Sequence, residues 1–119
     1  MNSNSLGQEG EETAAVFLKS KGLKILERNF RIRGGEIDIV AQDGSTICFT
    51  EVKTRRSNSY GTPRESVSFF KKNRLIKAGL FYVAKHNLTD TNVRFDVVCV
   101  TFARDGRPQI EWLQNVFEV

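Results

Sequence analysis

Between Gly35 and Arg56 the chain reads GEIDIVAQDGSTICFTEVKTRR. Two β-rich runs flank Asp43-Gly44, a strong two-residue turn signal, so the stretch predicts a β-hairpin. With Asp43 and Gly44 as the loop, Gln42 pairs with Ser45, Asp38 falls opposite Phe49, and Glu36 falls opposite Glu51. Directly opposed residues share a face, as do positions two apart on one strand. Glu36, Asp38, Phe49, Glu51 and Lys53 then project from one face. Ile37, Ile39, Cys48 and Val52 project from the other, which reads as a core face. A one-residue slip would turn Asp38 onto the core face, away from Glu51. Carboxylates and an ammonium gathered on one patch of sheet constrain the rest of the chain, because such charges are costly to bury without a ligand.

The chain has 119 residues, enough for one domain with a core and too few for two, so a single domain over 1–119 is expected. Apolar residues make up 39% and nine are Phe, a globular composition rather than a disordered one. The net charge is +4, compatible with a polyanionic partner. From Lys53 to Lys85, nine basic residues accompany a single acid, Glu65. A solvated helix face and a nucleic-acid surface both fit that pattern. Cys48 and Cys99 lie in apolar runs and read as reduced core residues of a cytoplasmic protein. One histidine, His86, leaves no Cys/His zinc set. No apolar run has the length of a membrane span, and the polar, acidic start MNSNSLGQEGEE does not read as a signal peptide.

Ser5 to Lys21 predicts a helix, with Ser5 and Gln8 as a capping box, Ala14, Ala15, Leu18 and Phe17 as its apolar stripe, and Gly22 as its stop. Leu23 to Arg33 predicts a strand with Leu23, Ile25, Leu26 and Phe30 as apolar positions and Arg28, Arg31 and Arg33 facing solvent or phosphate. Gly34-Gly35 breaks it. Thr54 to Thr62 reads as a long polar loop. Thr62-Pro63-Arg64-Glu65 opens a second helix that runs to His86 or Asn87, with a break near 68–70. In that helix Val67, Leu75, Ala78, Leu80, Phe81 and Val83 are expected to pack. Val93 to Phe102 is β-rich, Asp96 within it reads as structural, and Pro108 to Leu113 reads as a short edge strand.

Two carboxylates converging from adjacent strands make a hard-oxygen site of the kind Mg2+ or Mn2+ uses, with few protein ligands and several waters. Lys53, on the same face as Glu51, can orient or deprotonate an attacking water or hold a phosphate oxygen. The Val52 carbonyl between them is a candidate further ligand. Spacing places Glu11 toward the buried side of the first helix, yet it reads first as a dipole acid at the helix start.

The chain resembles the PD-(D/E)xK, or restriction-endonuclease-like, superfamily. Within it the chain looks like the YraN-like family of bacterial proteins, expected to be endonucleases and related in fold to archaeal Holliday junction resolvases. The matching residues are Gly7, Gly10-Glu11, Ala14-Ala15, Leu18, Gly22, Asn29, Arg31, Gly35 through Ala41, Asp43-Gly44, Phe49 and Glu51 through Arg55. Weaker matches follow at Gly61, Pro63, Val67, Lys71, Arg74-Leu75 and Arg94 through Val98. The resemblance implies an α/β fold with an α-β-β-β-α-β core and a mixed central sheet flanked by helices. It implies Asp38 and Glu51 as metal carboxylates, Lys53 as the catalytic lysine, and Glu11 as the helix glutamate that the resolvases add to the site. The chain departs from the pattern at Ile37, where the superfamily has proline, and at Lys72, where many relatives have Gln.

Three readings follow. The first is a Mg2+- or Mn2+-dependent endonuclease acting on DNA, with branched or structured DNA among the candidate substrates. In that reading Arg31, Arg33, Arg55, Arg56, Arg64, Lys71, Lys72 and Arg74 hold the nucleic acid. The second is a nucleic-acid-binding module on a nuclease fold without turnover. The third, a scaffold whose charges form salt bridges, is disfavoured by the cost of burying the cluster. A homodimer follows by analogy with two-fold resolvases on two-fold junctions.

Overall fold

The computed structural model describes residues 5–57 and 69–117. In chain order the elements are α1 (Ser5–Ser20), β1 (Lys24–Ile32), β2 (Gly35–Asp43), β3 (Thr46–Arg56), α2 (Phe69–Lys85), β4 (Val93–Phe102) and β5 (Pro108–Phe117). The strands form one sheet in the order β1-β2-β3-β4-β5. Only β3 and β4 are parallel; the other neighbours are antiparallel. A parallel pair needs a crossover connection, and the stretch carrying α2 supplies it. The expected α-β-β-β-α-β core is present, extended by β5 at the sheet edge.

Each helix buries its stripe on a different side of the sheet. Ala14, Ala15 and Leu18 of α1 pack with Ile39, Ala41, Cys48, Val52, Val98 and Val100. Leu75, Ala78 and Tyr82 of α2 pack with Phe30, Ile37, Val40, Ile47, Phe49 and Phe95. On α2 the apolar stripe differs from the expected one: Tyr82 is buried, while Leu80 and Phe81 are about half exposed. Only the positions in phase with Leu75 and Ala78 face the sheet. Val67 and the Thr62–Glu65 cap lie outside the described residues, as does most of the expected loop, of which Thr54, Arg55 and Arg56 instead continue β3. In β1 a bulge between Ile25 and Glu27 turns Leu26 outward.

α1 stops as its sequence implies. Gly22 takes φ 92, Leu23 N–H donates to the Leu18 carbonyl at 3.1 Å, and Gly22 N–H donates to Lys19 at 3.0 Å. That is the six-to-one and five-to-two pairing that satisfies orphan carbonyls. Gly10 and Gly35 answer a different need, close approach. A Cβ on Gly10 would overlap Thr54 Oγ1 of β3, and one on Gly35 would lie 2.7 Å from the Arg74 carbonyl of α2. Gly10→Ala is therefore expected to cost about 1–3 kcal/mol, the usual range for overpacking, despite alanine's better helix propensity. Urea denaturation checks this, and unchanged or increased stability would contradict the close contact of α1 with β3.

The hairpin register differs from the expected one by two. The observed pairs are Asp43↔Thr46, Gln42↔Ile47, Ala41↔Cys48, Val40↔Phe49 and Ile39↔Thr50. The loop is Gly44-Ser45, with Gly44 at φ 61, matching the glycine-first turn that also suits hairpins. Asp43 stays in the strand because its carboxylate lies 3.0 Å from Arg94 Nη2 of β4. A shift of two preserves side-chain faces. It does carry Asp38 past the last ladder pair, Ile39↔Thr50, to the level of Glu51 and Val52 instead of Phe49, and it removes Glu36 from Glu51.

Asp96 is structural, as its place in a strand suggests. It is fully buried and accepts from Arg94 Nε at 3.1 Å, Trp112 Nε1 at 3.1 Å and Asn115 N–H at 2.9 Å. The β4–β5 register shifts between Phe95 and Val97, so this carboxylate fills a bulge that the ladder leaves without an acceptor.

Candidate functional site

The regular β2–β3 ladder ends at Ile39↔Thr50. One residue further, Val52 N–H donates to Asp38 Oδ2 at 2.8 Å. A side-chain carboxylate there takes the role of a backbone acceptor. The alternation of β2 breaks at the same residue. Ile37 joins the α2 cluster and Ile39 the α1 cluster, although a regular strand would place both on one face. The expected single core face of Ile37, Ile39, Cys48 and Val52 is thus divided. Phe49, expected among the charges, is fully buried under α2. The charged side of the hairpin is therefore covered at Phe49, while Glu36, Asp38, Glu51 and Lys53 stay half-buried.

The Asp38 and Glu51 carboxyl groups are neighbours, close enough to share a proton. Burial raises the Asp38 pKa, partly offset by the Val52 bond. Burial, and next the charge of Asp38, push Glu51 up to about 8. Two such carboxylates cannot both ionise cheaply, so the pair favours a proton or a cation between them. Lys53 stands two residues along β3 from Glu51. Its pKa is lowered, first by burial and then by the nearby Lys71 of α2.

Glu11 is brought within electrostatic reach of this pair. Its pKa is raised by burial and then by Asp38, and lowered by the nearby Asn29 amide and by the charges of Arg28 and Arg31. Gly10 seats α1 on Thr54 and so brings the next residue, Glu11, to the site edge. Among the described residues no group of three or more His, Cys, Asp or Glu side chains is close enough to hold a metal together. The site thus presents a pair of carboxylates with Glu11 alongside. A pair suits a small hard cation that keeps most of its waters, and its raised proton affinity is that of a site short of positive charge. The buried thiols stay protonated: burial raises Cys99, the β4 partner of Lys53, to about 11 and Cys48 to about 12.

The other expected residues are dispersed. Arg31 is exposed and lies 3.4 Å from Glu36; Arg33 and Arg56 are exposed at strand ends. Arg55 Nε donates to Thr101 Oγ1 at 3.3 Å. Beside it Cys99, Thr101, Gln109 and Glu111 border a recess of about 260 Å³. Lys72 and Arg74 are half-buried on α2, and Arg64 lies outside the described residues. Val52 contributes its N–H to Asp38. Sequence reasoning gave Lys71 to nucleic acid and did not place it against Lys53; no spacing rule links residues on β3 and α2. Asn29 received no role, although asparagine in a strand is a residue type that tolerates left-handed backbone.

Fold and site define the class: a mixed α/β domain consistent with a restriction-endonuclease-like core, with a half-buried carboxylate pair and lysine on the β2–β3 pair. The chain belongs to the family described as uncharacterised protein family UPF0102, whose model matches residues 10–100. It is 50% identical over 119 residues to a UPF0102 protein of Geobacter metallireducens, covering 100% of this chain and 97% of that one. It is 46% identical over 114 residues to one of Geobacter sulfurreducens, covering 96% and 89%. A third, of Symbiobacterium thermophilum, is 45% identical over 115 residues, covering 97% and 98%. No helix among the described residues is long and apolar enough to cross a membrane.

Proposed function

We propose that this protein is a divalent-metal-dependent endonuclease of the PD-(D/E)xK type that hydrolyses phosphodiester bonds in DNA. The observation that carries the reading is the half-buried Asp38, which accepts from the Val52 N–H at 2.8 Å, with the Glu51 carboxyl close beside it and Lys53 two residues on. Asp38 and Glu51 would hold Mg2+ or Mn2+, with Glu11 reaching the same region. When bound, such an ion supplies a more acidic water and positive charge for the phosphate in the transition state. Lys53, its proton affinity lowered by burial and Lys71, orients or deprotonates the attacking water, or holds a phosphate oxygen. Arg55 and the recess beside it lie one strand step beyond Lys53 on the same face, which supports binding of the strand next to the cut.

The test incubates linear, nicked and four-way DNA with Mg2+ or Mn2+, beside an Asp38→Ala control. Parent protein is expected to cut at least one substrate, and Asp38→Ala to reduce the rate by about a thousandfold. Binding without cleavage of any substrate would favour a nucleic-acid-binding module. Cleavage that survives Asp38→Ala would sink the site assignment.

A further inference from the structure

Asn29 is the cross-strand neighbour of Asp38, since the flanking pairs are Arg28↔Ile39 and Phe30↔Ile37. It sits inside β1 with φ 56, left-handed backbone where an extended strand needs strongly negative φ. The two other such non-glycine residues among those described have evident reasons. Asn87 follows the end of α2, and Asn115 lies in the β5 bulge at Asp96. Asn29 coincides instead with the point where β2 loses its alternation and the Asp38 carboxylate reaches the Val52 N–H.

Asparagine is among the few non-glycine residue types that adopt this backbone readily.

We infer that Asn29 is a positioning residue: its left-handed backbone sets Asp38 between β2 and β3. The catalytic consequence rests on the proposed metal-dependent cleavage; the backbone role does not.

Two variants test this. Neither carries the amide, but Asn29→Gly keeps the left-handed backbone and Asn29→Ala resists it. Hydrogen exchange of the Val52 amide, without metal, is expected to match the parent in Asn29→Gly and to be at least about tenfold faster in Asn29→Ala, with cleavage slowed in Asn29→Ala alone. Equal Val52 exchange in the two variants overturns the backbone role. If Asn29→Ala fails to fold while Asn29→Gly does not, the backbone role stands. The expected exchange with no DNA cut by the parent would sink the nuclease reading and leave the positioning role intact.

Discussion

In metal-free buffer at pH 9, Glu51→Gln is expected to melt about 10 °C above the parent protein. The physical reason is the company Glu51 keeps. Burial and the neighbouring Asp38 raise its pKa from 4.5 to about 8 in the folded protein. Between those values the folded state holds a proton that the unfolded chain has released. Stability therefore falls as pH rises through that window, and the full cost, on the order of 4 kcal/mol, is present above it. An amide carries no charge to desolvate and can donate to Asp38. The advantage of the variant should shrink as pH falls from about 8 and vanish below 4.5, where the parent carboxyl is neutral in both states. Adding Mg2+ at pH 9 should raise the melting temperature of the parent far more than that of the variant, because only the parent offers two carboxylates to the ion. A variant no more stable than the parent at pH 9 would show that the pair is not strained.

Asp96→Ala should have the opposite sign. Here the buried carboxylate is surrounded by donors from Arg94, Trp112 and Asn115. Its removal leaves a mostly buried guanidinium with Asp43 as its one remaining ion-pair partner among the described residues and takes the acceptor from two N–H groups. The expected cost is about 3–5 kcal/mol, measured by urea denaturation. The proposed cleavage should persist in the fraction that stays folded, since Asp96 lies at the β4–β5 bulge and not in the Asp38–Glu51 pair. A loss of cleavage with stability unchanged would contradict its structural role. The two carboxylates thus separate by the sign of their stability effect, a distinction set by whether charges or donors surround them.

Much of this was legible in local pattern. Residues Ser5 to Ser20 read as a helix because their apolar stripe, their spacing and the Gly22 stop agree. The β2–β3 hairpin was legible because alternating apolar runs flank a glycine-containing turn. That Asp38 and Glu51 share a region survived even a misplaced turn, because the error was an even number of residues. Glu11 came to the site through resemblance to the resolvases, and α1 packing then brought it near Asp38.

The sequence by itself determined the element order, the hairpin and the residues that could carry charge chemistry, since each follows from periodicity, turn chemistry or side-chain type within one segment. Only the tertiary structure decided the turn. The ion pair of Asp43 with Arg94, which keeps Asp43 in the strand, joins residues 51 positions apart. Only the structure set Lys71 against Lys53, divided Ile37 from Ile39, and placed a left-handed Asn29 beside Asp38. Each of these depends on contacts between elements, and spacing along a single segment carries no information about which element packs against it.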